Sequence, residues 1–251
     1  MNADNLIEAL RLPQATMLNR RLPKALIIEN GANTAADRRL VRERVRRADW
    51  VASLKPSNIG LAATVGDDGV NEIAVITVHC AHGSQTDRLA EMMHRAIPYH
   101  VLLVIDEGDH AAMSVADKRQ SLADSDKTVL ELGPVNAELS TKDDPATSEA
   151  IARAIAFDND VYTDLGSLYT GWLALAIAMR AYQRTGMFNV VQGTAKAKER
   201  WRSLQELERL DADMAKVQNS AKRATQMARQ VELNTELQTL RKRHAAALER
   251  I

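Results

Sequence analysis

Cysteine is almost absent from these 251 residues, and with Cys80 alone no internal disulfide framework can form. A lone free thiol fits a reducing compartment, so a cytoplasmic location is expected. Aromatic residues are scarce at 4%, which argues against stacking platforms of the kind that read single-stranded bases. Long apolar runs are missing too. The most apolar stretch, 172–179, ends at Arg180 and falls short of the roughly 20 residues that a bilayer crossing needs. The opening MNADNLIEALRLPQ has acids where a secretory signal has lysines, so neither a signal peptide nor a membrane partner is expected.

What is present suits a folded chain. Apolar residues make up 45% and charged residues 26%, close to the globular average. The net charge of zero conceals an asymmetry. Residues 1–60 hold 11 basic and 6 acidic side chains, 61–194 hold 9 and 19, and 195–251 hold 13 and 8. The blocks thus carry +5, −10 and +5, and either end of the chain is suited to a polyanion or an acidic protein surface.

Hydrophobic periodicity predicts an α+β chain: one mixed sheet of hairpins packed on helices, then a C-terminal heptad-patterned helical arm. A strand is expected at Ala25–Glu29, ended by Asn30-Gly31. Thr34 should cap a helix with Val41, Val45, Ala48 and Ala52 on its inner face and Arg38, Arg39, Arg42 and Arg46 among its outward cations. Residues 59–65 and 71–80 read as a hairpin around a glycine-containing turn. Ser84–Ala96 reads as a helix with Leu89, Met92, Met93 and Ala96 as its stripe. His100–Asp106 and His110–Asp117 read as a second hairpin, with Thr128–Leu132 a further strand. Residues 133–145 turn polar and form the best internal boundary, after which Ser148–Phe157 and Tyr162–Tyr182 are helical by period. The organisation expected is a 1–194 domain, with a sheet part at about 20–132 and a helical part at about 146–190, and an arm over 195–251.

In the arm, Leu210, Met214, Val217, Ala221, Ala224, Ala228 and Val231 step by four and three, and after a slip Leu233, Leu237 and Leu240 resume the steps. Such a phase change predicts either a stutter in a continuous coiled coil or two helices folded back as a hairpin. Leu210, Met214, Val217, Val231, Leu233, Leu237 and Leu240 are the candidate partner-binding positions, and a second copy of the arm is one partner they would suit.

No set of residues reads as an active site. His79-Cys80-Ala81-His82 invites a zinc reading, but strand alternation sends His79 and Cys80 to opposite faces, and no paired ligand spacing supports them; no metal or cofactor is expected. A restriction-type nuclease needs an Asp followed on the next strand by Glu-x-Lys. Asp67, Asp68 and Glu72 are its acids here, but the chain offers Thr77-Val-His79-Cys80 where the Glu-x-Lys should stand. There is no nucleophile elbow, and the glycine turn at 66–69 holds two acids that would repel a phosphate. The cations of 37–50, extended by Arg20, Arg21 and Lys24, are candidates for contact with nucleic-acid phosphates; the competing account is a solvated helix face with Glu43 and Asp49 in intrahelical pairs.

Three phrases carry a resemblance: Leu12-Pro13…Thr16…Asn19…Leu22-Pro23-Lys24, Ala96-Ile97-Pro98-Tyr99-His100 leading into an apolar strand, and Gln230-Val231-Glu232-Leu233-Asn234. In that order they resemble the bacterial family known as domain of unknown function 4391, with His100 standing where the family usually has proline and no matching phrase over 133–195. Members of that family look like companions of helicases and DNA methyltransferases in restriction-like, phage-defence gene clusters. The resemblance implies a non-enzymatic accessory or adaptor subunit of a DNA-acting complex, with a helicase or methyltransferase as protein partner and DNA met through the basic helix or through the complex. The alternatives are a divergent or vestigial nuclease and a free-standing nucleic-acid binder.

Overall fold

The computed structural model describes residues 2–64, 69–108, 110–120, 128–139 and 144–251. It divides into two compact units, Met1–Met179 and Arg180–Ile251. The elements of the first run in the order α1 (Ala3–Ala9), a 3-10 turn (Gln14–Thr16), β1 (Met17–Arg21), α2 (Lys24–Gly31), α3 (Ala35–Arg44), β2 (Val45–Leu54) and α4 (Pro56–Ile59). They continue with β3 (Ile73–Cys80), α5 (Thr86–Ala96), β4 (His100–Asp106), β5 (Ala111–Gln120), β6 (Thr128–Leu139), α6 (Pro145–Ile155) and most of α7 (Leu165–Thr185). The arm consists of α8 (Thr194–Arg223) and α9 (Met227–Leu248). The chain is mixed α+β, as its periodicity predicts.

The six strands among the described residues form one sheet in sequence order, antiparallel throughout except for the parallel pair β3–β4. A parallel neighbour needs a crossover connection, and α5 supplies it. Its stripe of Leu89, Met92 and Met93 is fully buried, packed with Ile76, Val78, Leu103 and Ile105 from one face of the central strands and Ile27 from α2. Helices α2 and α5 approach so closely at Gly31 that a Cβ there would lie 2.3 Å from the Met92 carbonyl oxygen, which leaves no room for alanine. On the opposite face Tyr169 of α7 serves the bulge in β5 at Ala116/Lys118: its hydroxyl donates to the Ala116 carbonyl (2.8 Å) and accepts from the Ala116 N–H (3.1 Å).

Four local expectations change. Residues 25–29 are helical, not a strand, because Pro23 is already fixed in φ ahead of the first turn and Ile27 is buried from a helix; a short apolar run does not distinguish the two forms. The basic helix stops at Arg44, and 45–54 is strand β2, paired with β1 on one side and β3 on the other. Val45, Ala48 and Ala52 are indeed inner-facing, but as strand residues. The expected 59–65/71–80 hairpin is absent: Ile59 closes the short α4, and β3 pairs with β2 and β4 instead. Residues 65–68 of that expectation, Asp67 and Asp68 among them, lie outside the described residues. Finally, β6 runs on to Leu139 through the polar stretch read as a boundary; Pro134, opposite Ala116, sits on the sheet's edge strand, where a missing N–H is tolerated. The capping box at Thr34 is present: its hydroxyl accepts the Asp37 N–H (3.1 Å), and the Asp37 carboxylate accepts the Thr34 N–H (3.0 Å).

In the second unit α8 and α9 form an antiparallel hairpin. Leu207 and Leu210 pack with Ala247, Leu240 and Ile251, while Val217 packs with Leu233 and Leu237, flanked by Met214, Ala221 and Ala224. The break falls at 224–226, a few residues ahead of the phase slip in the sequence. At the open end Glu206 forms an ion pair with Arg250 (2.8 Å), and His244 Nε2 lies 3.1 Å from an Asp211 carboxylate oxygen. Among the described residues, no helix is long and apolar enough to cross a membrane.

Candidate functional site

Strand alternation puts Arg47, Asp49 and Val51 of β2 on the face away from α5, beside Thr77 and His79 of β3. The register sets Asp49 opposite Thr77 and Arg47 opposite His79. With Asn19 of β1 and Asp4, Ile7 and Glu8 of α1 they line a cleft of about 360 Å³. Asn19 adopts φ 48° at an irregularity in β1, a left-handed conformation that asparagine tolerates better than most residues.

The polar groups form a chain across three strands. Arg47 Nε lies 2.6 Å from Asp49 Oδ2, His79 Nε2 lies 3.9 Å from the same oxygen, and His79 Nδ1 lies 2.8 Å from Asp106 Oδ2 on β4. Asp106 is itself held, accepting the Gly108 N–H at 2.9 Å. The Asp106 carboxylate therefore fixes the imidazole's orientation, with Nε2 turned toward Asp49 across 3.9 Å in the cleft. This arrangement can orient a polar ligand or relay a proton.

The other sequence candidates fall elsewhere. Glu72 is engaged by the Ser53 hydroxyl and by Lys55 Nζ (3.3 Å), a structural tie between β2 and the start of β3. Cys80 points into the α5-side core, where burial and the nearby Glu107 and Asp106 charges push its thiol up to about 12, an unreactive value. His79 and Cys80 do face opposite ways. Among the described residues, no group of three His, Cys, Asp or Glu side chains is placed to hold a metal ion.

Of the basic candidates, the fold draws Arg21, Lys24, Arg42 and Arg46 to one region, where β1 ends, α2 begins and α3 passes into β2. Lys24 Nζ reaches the Arg42 carbonyl (3.4 Å), Arg21 pairs in register with Asp49, and the Leu22 N–H bonds the Ala48 carbonyl (2.8 Å). Arg38 lies one turn before Arg42 on α3, Arg39 is paired with Glu43 (2.9 Å), and Arg20 lies opposite Trp50 on β1. The intrahelical pairing read for Glu43 is present, whereas Asp49 pairs along β2 with Arg47. Of the seven arm positions, Leu210, Val217, Leu233 and Leu237 are buried and Met214 and Leu240 partly buried within the hairpin; Val231 alone turns outward, 61% exposed.

The family model for a domain of unknown function (DUF4391) matches residues 10–243. The chain belongs to that family. Among curated proteins and among solved structures, nothing matches it. The DUF4391 match takes in β1 to β6, the basic junction and nearly all of the hairpin, and leaves Asp4 and Glu8 of the cleft outside. Sequence reading missed Asp49, Asp106 and the α1 acids as neighbours of His79. Asp49 and Asp106 lie 30 and 27 positions from His79 and are brought to it by strand register, while Asp4 and Glu8 reach the cleft on α1.

Proposed function

We propose that this DUF4391 protein is a non-enzymatic accessory subunit of a DNA-acting assembly in the bacterial cytoplasm. Its partner is a helicase or DNA methyltransferase of a restriction-like, anti-phage system. The observation that carries this reading is on α9. Its inner face is already filled by Leu233 and Leu237 against α8, yet Met227 (79% exposed) and Val231 remain uncovered one turn apart on its outer side. Large apolar side chains paired at i and i+4 on a helix whose own seam is closed suit contact with a partner. The basic junction of Arg21, Lys24, Arg42 and Arg46 supports the DNA part of the reading, since arginine and lysine pair with phosphate oxygens without reading sequence. Truncation after Gly193 removes α8 and α9 and leaves α7 whole. The truncated chain is expected to keep its far-ultraviolet spectrum for the sheet unit and to lose copurification with the partner from the native host. Copurification at full yield would sink the docking claim.

A second reading, a divergent or vestigial metal-dependent nuclease, draws on Asp49 and His79 on adjacent strands in the cleft. The described residues supply no three-ligand metal set there, so no step is assigned to a metal. Magnesium-dependent cleavage of DNA by the full chain, abolished by Asp49→Asn, would favour this reading over the first. Equal activity in both chains, or none, would remove it.

A further inference from the structure

We infer that the tip of the α8–α9 hairpin docks on the phosphodiester backbone of a nucleic-acid duplex. Between Asp213 and Glu232 the chain carries Lys216, Lys222, Arg223 and Arg229 and not one acid, in a protein whose overall charge is balanced. The hairpin gathers these four exposed cations around one turn, two of them closing α8 and one in the first turn of α9. Lys216 and Arg229 reach back to acids at the margin, Asp213 (3.4 Å) and Glu232 (2.5 Å); the pairs are exposed and readily exchanged for another anion. Among the described residues, Lys222 and Arg223 make no ion pair.

Helix stability accounts for part of this pattern only. Cations in the last turn of α8 complement the helix dipole, which explains Lys222 and Arg223. The same rule calls for an acid in the first turn of α9, where the chain has Arg229 and no acid. Nor does the dipole reach Lys216, nearly two turns inside α8. Between the cations the exposed Asn219, Ser220, Thr225 and Gln226 carry hydroxyls and amides, the groups that supplement lysine and arginine on phosphate oxygens. An anionic bilayer is a poorer match, because Met227 and Val231 are the only large apolar side chains exposed at the tip, too little area for insertion. An acidic protein surface shares the charge but not the regular row of acceptors.

The inference rests on the reading of the chain as DNA-associated, and one experiment separates the two. The full chain is titrated into a fluorescein-labelled duplex DNA at several salt concentrations, beside Lys222→Gln/Arg223→Gln and, as a comparison, Arg42→Gln/Arg46→Gln. Each phosphate contact contributes about 0.9 to the slope of log affinity against log salt, so the tip pair is expected to lower that slope by roughly two and the affinity about tenfold at low salt. Thermal unfolding should be nearly unchanged, since both side chains are exposed. Binding that depends on Arg42 and Arg46 while the tip pair matches wild type would overturn the inference and keep the DNA reading. No duplex binding by wild type would overturn both. Equal or tighter tip-dependent binding to poly-glutamate, or to vesicles of phosphatidylcholine and phosphatidylserine, would assign the tip to another class of partner and overturn it as well.

Discussion

Arg88→Ala is expected to lower stability by about 3 kcal/mol at neutral pH, because it strands a buried carboxylate. Asp37 is 4% exposed and serves two elements at once. Its carboxylate closes the capping box of α3 through the Thr34 N–H, and it accepts both Arg88 Nε (2.8 Å) and an Arg88 terminal nitrogen (2.6 Å) from α5. This two-pronged pairing joins the helix that leads into β2 to the crossover helix between β3 and β4. Breaking a buried pair by removing one partner costs roughly 3–5 kcal/mol, and the lower figure applies because Arg88 itself is partly solvated. The pH dependence gives the sharper check. The Arg88 hydrogen bonds hold Asp37 well below the usual carboxylate range, so its contribution is complete above the unfolded value near 4 and is lost progressively as the pH falls from there toward the lower, folded value. The difference between wild type and Arg88→Ala, measured by urea unfolding at pH 7 and again at pH 2, should therefore shrink in acid. A difference of the same size at both pH values would mean that lost packing, and not the ion pair, is what Arg88 supplies.

That pair also marks where sequence reading reaches and where it stops. The Thr34…Asp37 spacing is a local signal, and the capping box is legible from it. So are the stripes of α5 and most of α7, because an amphipathic period survives whatever the helix packs against. Arg88 as the partner of Asp37 is not legible, since the two lie 51 positions apart and meet only once α3 and α5 cover the same sheet face. Strand β2 was hidden for a different reason. Val45, Ala48 and Ala52 fit a helical face as well as a strand, and pairing with β1 and β3 decides between them. The cleft follows from that decision. With 45–54 read as a helix, Asp49 belongs beside Arg46 and Trp50 on a solvated surface; as a strand it belongs opposite Thr77, within reach of His79. The hairpin was half legible, because its apolar steps announce a seam but the turn at 224–226 carries no glycine or proline to mark it.

Stability is expected to climb from about pH 4 to about pH 8.5, past the usual maximum, because burial makes three bases harder to protonate in the fold. Above that it levels off, because the unfolded Cys80 thiol ionises while the buried one keeps its proton. Lys118, 2% exposed on β5, donates to the Ile97 carbonyl (2.7 Å) and the Tyr99 carbonyl (2.5 Å), pinning the connection from α5 into β4. Burial lowers its ammonium to about 7. An unfolded lysine keeps its proton to about 10.4, so between these values Lys118 binds more proton in the unfolded chain and its contribution to stability rises with pH. The histidines add an acid limb of the same sign. His94, buried with Nε2 2.9 Å from the Ser114 hydroxyl, is held well below its ordinary value by burial and then by the Lys118 charge. His100 is lowered to about 4 for the same two reasons. Both must charge on unfolding below about 6.5, so stability drains away as the pH falls toward 4. A one-proton difference between folded and unfolded chains is worth ~1.4 kcal/mol for every pH unit it spans, so the Lys118 limb alone amounts to a few kcal/mol. Guanidinium unfolding midpoints at pH 5, 7 and 9.5 should therefore increase in that order. Lys118→Met should flatten the rise between pH 7 and 9.5 while keeping the loss below pH 6.5, and it should be less stable than wild type at pH 9.5, where two carbonyls have lost their donor. A flat wild-type profile between pH 7 and 9.5 would mean that Lys118 stays charged in the fold, stabilised by those carbonyls more than it is penalised by burial.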